Sequence, residues 1–244
     1  MRLSQLKQMP PPLFGGAAGM VDPVSPRRAL FNEVLARFED APDDLSIMQG
    51  TLVSEVVLSQ AIAQQQIVWN LRADQQNPTN AIRTTEIRLQ QRDAFVCDRF
   101  GLFWGVSVGA AALASSVYYQ QFPNANTVAN NGHTPAGAAA IRAALNGQLS
   151  AIVNTVQYLQ GLHASAAIYV DTAQASSATT QSAQEGELGF IEMTPAMTVR
   201  GTDTSQFTLT IPDSVLFDPG VGNNIVCRLM LRGMLVQGGA AVAV

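Results

Sequence analysis

The residues with the widest chemical range are His133, in NNGHTPAG, and His163, in LQGLHASA. Neither sits in an H-x-E or HExxH spacing, and no acidic residue lies between Asp98 and Asp171. Zinc needs three or four ligands converging on one point, so no metal site is expected. The run GVSVG at 105–109 has the letters of a G-x-S-x-G nucleophile elbow, with Ser107 as the nucleophile. A working elbow is a sharp strand-to-helix turn in an α/β sheet, followed by an acid and then a histidine. Here the surroundings alternate like an antiparallel strand, and both histidines precede Asp171, so the match reads as coincidence. Glycoside hydrolysis needs two carboxylates at a set separation. Glu55, Glu86, Glu187 and Glu192 show no such pairing, and Glu86 with Arg88 reads as a solvated or interface pair on one strand face. GGAAGM at 15–20 follows no strand and lacks a lysine, so it is not a phosphate loop. Cys97 and Cys227 form no CxxC pair and fall in apolar strand-like runs. They read as buried thiols, with a disulfide between them left open. The residues therefore predict no catalytic, cofactor-binding or metal-binding site: no enzyme and no cofactor.

Composition points elsewhere. The 244-residue chain is 47% hydrophobic and only 13% charged. A typical soluble domain carries about 25% charged residues. The hydrophobicity excludes disorder, and the net charge of −4 argues against a general nucleic-acid binder. Lys7 is the sole lysine; arginine, the other base, suits interfaces, although a GC-rich genome would also favour it. From Asp98 to Asp171 only Arg99 and Arg142 are charged between the two aspartates. A free surface of that length would carry many charges, whereas interface cores are depleted of them. This stretch is expected to be where copies of the chain meet.

RFGLFWGVSVGAAALASSVYYQQF, at 99–122, has the length of a membrane span. Its first half, however, alternates Leu102, Trp104 and Val106 with Phe103, Gly105 and Ser107, the two-residue period of a strand. A buried strand running into a neutral loop is expected, not a span. The N-terminus MRLSQLKQMPPPLFGG lacks a continuous apolar segment, so no secretory signal is expected.

The elements follow from periodicity and punctuation. Residues 1–24, rich in proline and glycine, read as an extended arm held by a neighbouring subunit. Residues 25–42 read as an amphipathic helix, with Ser25 as cap, Pro26 first, Leu30, Phe31, Val34, Leu35 and Phe38 on one face, and Pro42 closing it. Residues 43–244 read as a β-sandwich with insertions at about 110–147 and 172–188. Ile67, Trp69 and Leu71 share a face, as do Ile87 and Leu89; QQRD at 90–93 reads as a bulge. AAAIRAAL is a short helix, and Asn146-Gly147 is a hairpin signal leading into QLSAIVNTVQYL. At the C-terminal end Phe207, Leu209 and Ile211 alternate with threonines, and Ile225, Cys227, Leu229 and Leu231 alternate with Val226, Arg228, Met230 and Arg232.

The arm, the strand pair NAIRTTEIRLQQRDAFV and the closing strands FIEMTPAMTVRG, SQFTLTIPDS and NNIVCRLMLRGMLV together resemble the jelly-roll major capsid (coat) proteins of tailless icosahedral bacteriophages. The resemblance implies a mainly-β, jelly-roll-like sandwich. A double jelly roll needs more residues than this chain has, so a single roll with large insertions is expected. It further implies a structural virion protein assembled in the host cytoplasm, its partners being other copies of itself in trimeric capsomers and other virion proteins. The residues leave two other readings open: a non-viral self-assembling subunit of a surface layer or appendage, and a carbohydrate-binding or hydrolytic β-domain.

Overall fold

The computed structural model describes residues 26–38, 45–58, 62–71, 89–108, 119, 121, 134–167 and 189–241. The arm at 1–24, the start and end of the expected 25–42 helix, Ile87, and the 172–188 insertion lie outside them. Helix α1 spans Pro26–Arg37. Strands β1 (Ser46–Leu58), β2 (Gln64–Asn70) and β3 (Ala94–Val108) follow. Helix α2 (Pro135–Ala144) then precedes β4 (Gln148–Val153), β5 (Val156–His163), β6 (Ile191–Arg200), β7 (Ser205–Val215) and β8 (Asn223–Gln237).

The eight strands form two four-stranded antiparallel sheets, ordered β1-β8-β3-β6 and β2-β7-β4-β5. They pack face to face as a β-sandwich. The alternation seen in sequence sets which side chains go inside. Phe95, Cys97, Phe100, Leu102, Trp104 and Val106 of β3 enter the inter-sheet core, and so do Ile225, Cys227, Leu229 and Leu231 of β8. The facing sheet supplies Ile67, Trp69, Leu149, Phe207 and Leu209. Phe100 meets Phe207 at 5.6 Å between ring centroids, and Trp104 stacks near-parallel on Phe217 at 6.1 Å. Trp69 on β2 donates its indole N–H to the Cys227 carbonyl on β8 at 3.1 Å, a hydrogen bond from one sheet to the other.

Residues 99–108 of the neutral run are therefore strand, as the alternation predicted. Among the described residues no helix is long and apolar enough to cross a membrane. β3 is not regular throughout: its register against both β6 and β8 shifts between Cys97 and Arg99. At that bulge Gly233 of β8 comes so close that a Cβ there would collide with the Val96 carbonyl oxygen, which only glycine avoids.

Two local expectations need correction. The bulge expected at QQRD is a turn: Asp93 N–H donates to the Gln90 carbonyl, and β3 starts one residue later. The irregularity lies instead at Cys97–Arg99, where the ladders to β6 and to β8 both skip Asp98. The Asn146-Gly147 pair does not join two strands. It links α2 to β4, with Gly147 N–H donating to the Ala144 carbonyl, so it ends a helix. The true hairpin is β4–β5, turning at Asn154-Thr155 with Asn154 at φ 52°. Asn154 is held there by its side chain, which donates to Asp203 at 2.9 Å and accepts from Thr204 N–H at 3.0 Å. Asparagine tolerates the left-handed region because its short amide bonds locally.

Helix α1 covers the outer face of the first sheet. Leu30, Val34 and Phe38 bury against Ile47, Ala94, Val96, Ala196 and Val236. Arg37 pins the helix end, donating to Thr198 Oγ1 at 2.5 Å and pairing with Glu33 one turn back. Helix α2 starts at the sequence TPAG for plain reasons. Thr134 caps it, accepting from Gly137 N–H at 2.9 Å, Pro135 follows, and the Thr134 hydroxyl also donates to the Asp218 carbonyl at 2.6 Å.

Cys97 and Cys227 are both free and buried. In the ladder Cys97 pairs with Gly233, six residues along β8 from Cys227. At ~3.3 Å per residue that is about 20 Å, far beyond disulfide reach. Burial pushes both thiols well above their ordinary range, with backbone hydrogen bonding at Arg99 opposing the rise at Cys97, Asp98 adding to it, and the Arg232 backbone also opposing it. Native protein is expected to leave both thiols unmodified by a thiol-specific reagent, and denatured protein to expose two; reaction of a native thiol at a peptide-like rate would contradict this packing. The two tryptophans should differ. Trp104→Ala should cost about 3–5 kcal/mol by chemical denaturation, and a charge at Val106 should prevent folding. Trp69→Phe should cost more than Trp104→Phe, because only Trp69 loses a hydrogen bond; the buried Trp104 N–H has no partner.

Candidate functional site

The polar groups of the sandwich gather on the outer face of the β1-β8-β3-β6 sheet. Glu55 on β1 and Arg228 on β8 are register partners, and both are buried. Arg228 Nε donates to Glu55 Oε1 at 2.7 Å, and an Nη2 contact to the same oxygen completes the pair. Tyr119 closes over them. Its hydroxyl donates to Glu55 Oε1 at 2.8 Å, and the Arg228 guanidinium lies 3.5 Å from its ring centroid. Around the trio pack Val53, Phe103, Val226 and Met230. Gln121 donates to the Gly189 carbonyl, so residues 121 and 189 are tied together over the same face.

A second set lies further along the sheet. Arg99 and Arg232 stand directly opposite each other across β3 and β8. Like charges so placed repel, and here carboxylates offset them: Arg99 meets Glu192 at 3.3 Å and Asp98 at 3.6 Å. Arg232 stacks on Phe190, 3.9 Å from the ring centroid. A cleft of about 30 Å3 opens between this set and α1, lined by Leu30, Gln49, Asp98, Arg99, Arg232 and Met234. That volume holds about one or two waters and no organic substrate.

Chemically the arrangement clamps; it offers no nucleophile beside a base. Ser107 of GVSVG lies inside β3 opposite Asn224, in a strand and not at a strand-to-helix turn. His163 ends β5, is exposed, and bonds its own neighbour Ser165. His133, Asp171, Glu86, Glu187 and the 15–20 glycine run lie outside the described residues. Glu55 and Glu192 are separately engaged by different arginines. Among the described residues no three His, Cys, Asp or Glu side chains are grouped to hold a metal. Reading by motif missed the Glu55–Arg228–Tyr119 cluster. The available signal was one charge in each of two otherwise apolar strands, TLVSEVVL and NIVCRLML, since a buried charge needs a partner of opposite sign.

Compared with protein-family models, curated proteins and solved structures, the chain matches none.

Burial pushes the Tyr119 phenol well above its ordinary value of 10.0; Glu55 adds to the rise and Arg228 opposes it. The folded state thus favours the neutral phenol. Its contribution to stability is complete below about pH 10 and is lost as pH climbs through the raised folded value. Alkaline titration should show one of the four tyrosines ionising only as the protein unfolds, and Tyr119→Phe should remove that late step. The same variant should cost about 1.5–3 kcal/mol, the worth of a hydrogen bond to a charged group. Glu55→Gln should cost more, about 3–5 kcal/mol, by leaving Arg228 buried without its counter-charge. Equal small losses for both variants would show that the cluster is solvated.

Proposed function

We propose that this chain is a structural virion protein, a jelly-roll capsid subunit that self-assembles into a shell and performs no catalysis. The observation that carries the reading is the pairing order. β1 pairs with β8, β2 with β7, β3 with β6 and β4 with β5. An eight-strand chain folded in half gives those four pairs, and rolling the ribbon into two sheets adds the β3–β8 and β4–β7 contacts seen here. We read this pairing order as that of a jelly roll, an architecture used by viral shells and also by lectins and cupins, and it supports the shell reading.

Charge distribution favours the shell among these uses. The connections 59–63, 109–147, 164–190 and 216–222 all leave the sandwich at one end, by strand direction. The connection 71–93 leaves at the other end and carries seven charged residues. The longer 109–147 carries only Arg142. The four connections at the first end together carry five charged residues, Arg142, Asp171, Glu185, Glu187 and Asp218, so that end is fed by charge-poor, amide- and alanine-rich chain, and Ile62, Leu216 and Val221 are exposed there. A lectin or hydrolase would instead present aromatics or paired acids on its loops. Copies meeting at that charge-poor end, in trimeric capsomers, account for the missing charge.

Sedimentation at micromolar concentration should find trimers or larger particles, and electron microscopy should find closed shells. A 25.9 kDa species at all concentrations would overturn the reading. Flat sheets or filaments in place of shells would favour a surface-layer or appendage subunit.

A further inference from the structure

A sandwich of two open sheets has four edge strands, and each is a template for another chain unless something blocks it. Three of the four edges here are blunted. β6 carries Pro195, which has no N–H to offer, and an exposed Glu192. β5 has two register irregularities against β4 within eight residues. β2 is only seven residues long and has a register break between Gln64 and Gln66. Among the described residues β1 has no such device. All thirteen of its residues pair with β8 in unbroken register, and SIMQGTLVSEVVL contains no proline and no lysine. Its single charge, Glu55, is buried and committed to Arg228. Met48 and Val57, near its two ends, are large apolar side chains 39% and 38% exposed.

We infer that the β1 edge pairs with the β1 edge of a second copy, antiparallel about a two-fold axis, joining two four-stranded sheets into one of eight. The charge pattern of the strand fits this occupant. Antiparallel self-pairing brings each residue opposite one on the same face, so the register centre is a residue, such as Leu52 or Val53. About Leu52, Glu55 faces Gln49 and Thr51 faces Val53, so no like charges meet. The inference rests on the shell reading, and that reading requires a second contact. A cyclic contact at the charge-poor end closes a ring of subunits and stops. A shell needs another operator to join rings, and an isologous two-fold contact is the simplest.

Two measurements test this on the full chain. The double variant Met48→Lys/Val57→Lys alters only exposed positions. Its circular dichroism and melting should match the parent, while the two-fold contact weakens at least ~tenfold and assembly halts at the ring. A nitroxide attached to Thr51→Cys, selective because both native thiols are buried, should report a mate within about 20 Å, since paired strands lie ~4.8 Å apart. If the lysine variant melts early, the nitroxide distance decides alone. Particles that form normally with the lysines, or labels much farther apart, overturn the β1 contact and leave self-assembly standing. A monomeric parent overturns both.

Discussion

Everything in this fold depends on β8 being paired on both sides along its length. β1 takes one edge from Leu58 to Ser46, and β3 takes the other from Val108 to Ala94. A fifteen-residue strand hydrogen-bonded on both edges cannot slide, because a one-residue slip would turn every side chain to the wrong face. Fixed register has two consequences. It sends Ile225, Cys227, Leu229 and Leu231 into the sandwich, and it places Arg228 opposite Glu55 on the outside. The Trp69 N–H reaching the Cys227 carbonyl ties the second sheet to the same strand.

The outer face of this sheet is not a solvent face. α1 covers one part, and Tyr119, Gln121 and Phe190 cover another. Burying a charge costs several kcal/mol unless it is paired and hydrogen-bonded, so an Arg–Glu pair under a cover is a poor way to gain stability. What it gains is position. A carboxylate accepting from both a guanidinium and a phenol fixes where Tyr119 sits, in a way a purely apolar contact would not. Tyr119 and Gln121 lie within the 109–147 connection and Gly189 near the end of 164–190; the clamp ties the first to the sheet and the Gln121–Gly189 hydrogen bond ties the second to the first.

Function and fold meet in the arrangement of the ends. At one end the short turns Asn154-Thr155 and 201–204, held by side-chain hydrogen bonds, lie beside the charged 71–93 connection. At the other end four connections carry only five charged residues, Arg142, Asp171, Glu185, Glu187 and Asp218. In the shell reading proposed above, such a division suits a subunit that fits against copies of itself. Loops can vary and carry the contact, while the sandwich sets the angle at which they are presented.

Much of the fold was legible in the sequence because period-2 alternation is a direct image of a half-buried strand. Trp104 and Val106, Ile67 and Trp69, and the four alternating residues from Ile225 to Leu231 all announced the face they take. The α1 stripe was legible for the same reason: it is local. The short helix was read from AAAIRAAL alone, and the structure starts it three residues earlier, at Pro135 behind the Thr134 cap. Asn146-Gly147 misled because a dipeptide that suits a hairpin suits a helix end equally, and only the neighbours decide. The pairing order, the Cys97–Arg99 bulge and the separation of the two thiols were beyond local reading. Each depends on which distant strand lies alongside, and that choice is made by burial of whole faces. Glu55 and Arg228 stand 173 positions apart. The sequence by itself determined that each was a charge in an apolar strand; only the tertiary structure decided that each was the other's partner, because a buried charge is tolerated only where the register of β1 on β8 delivers its counter-charge.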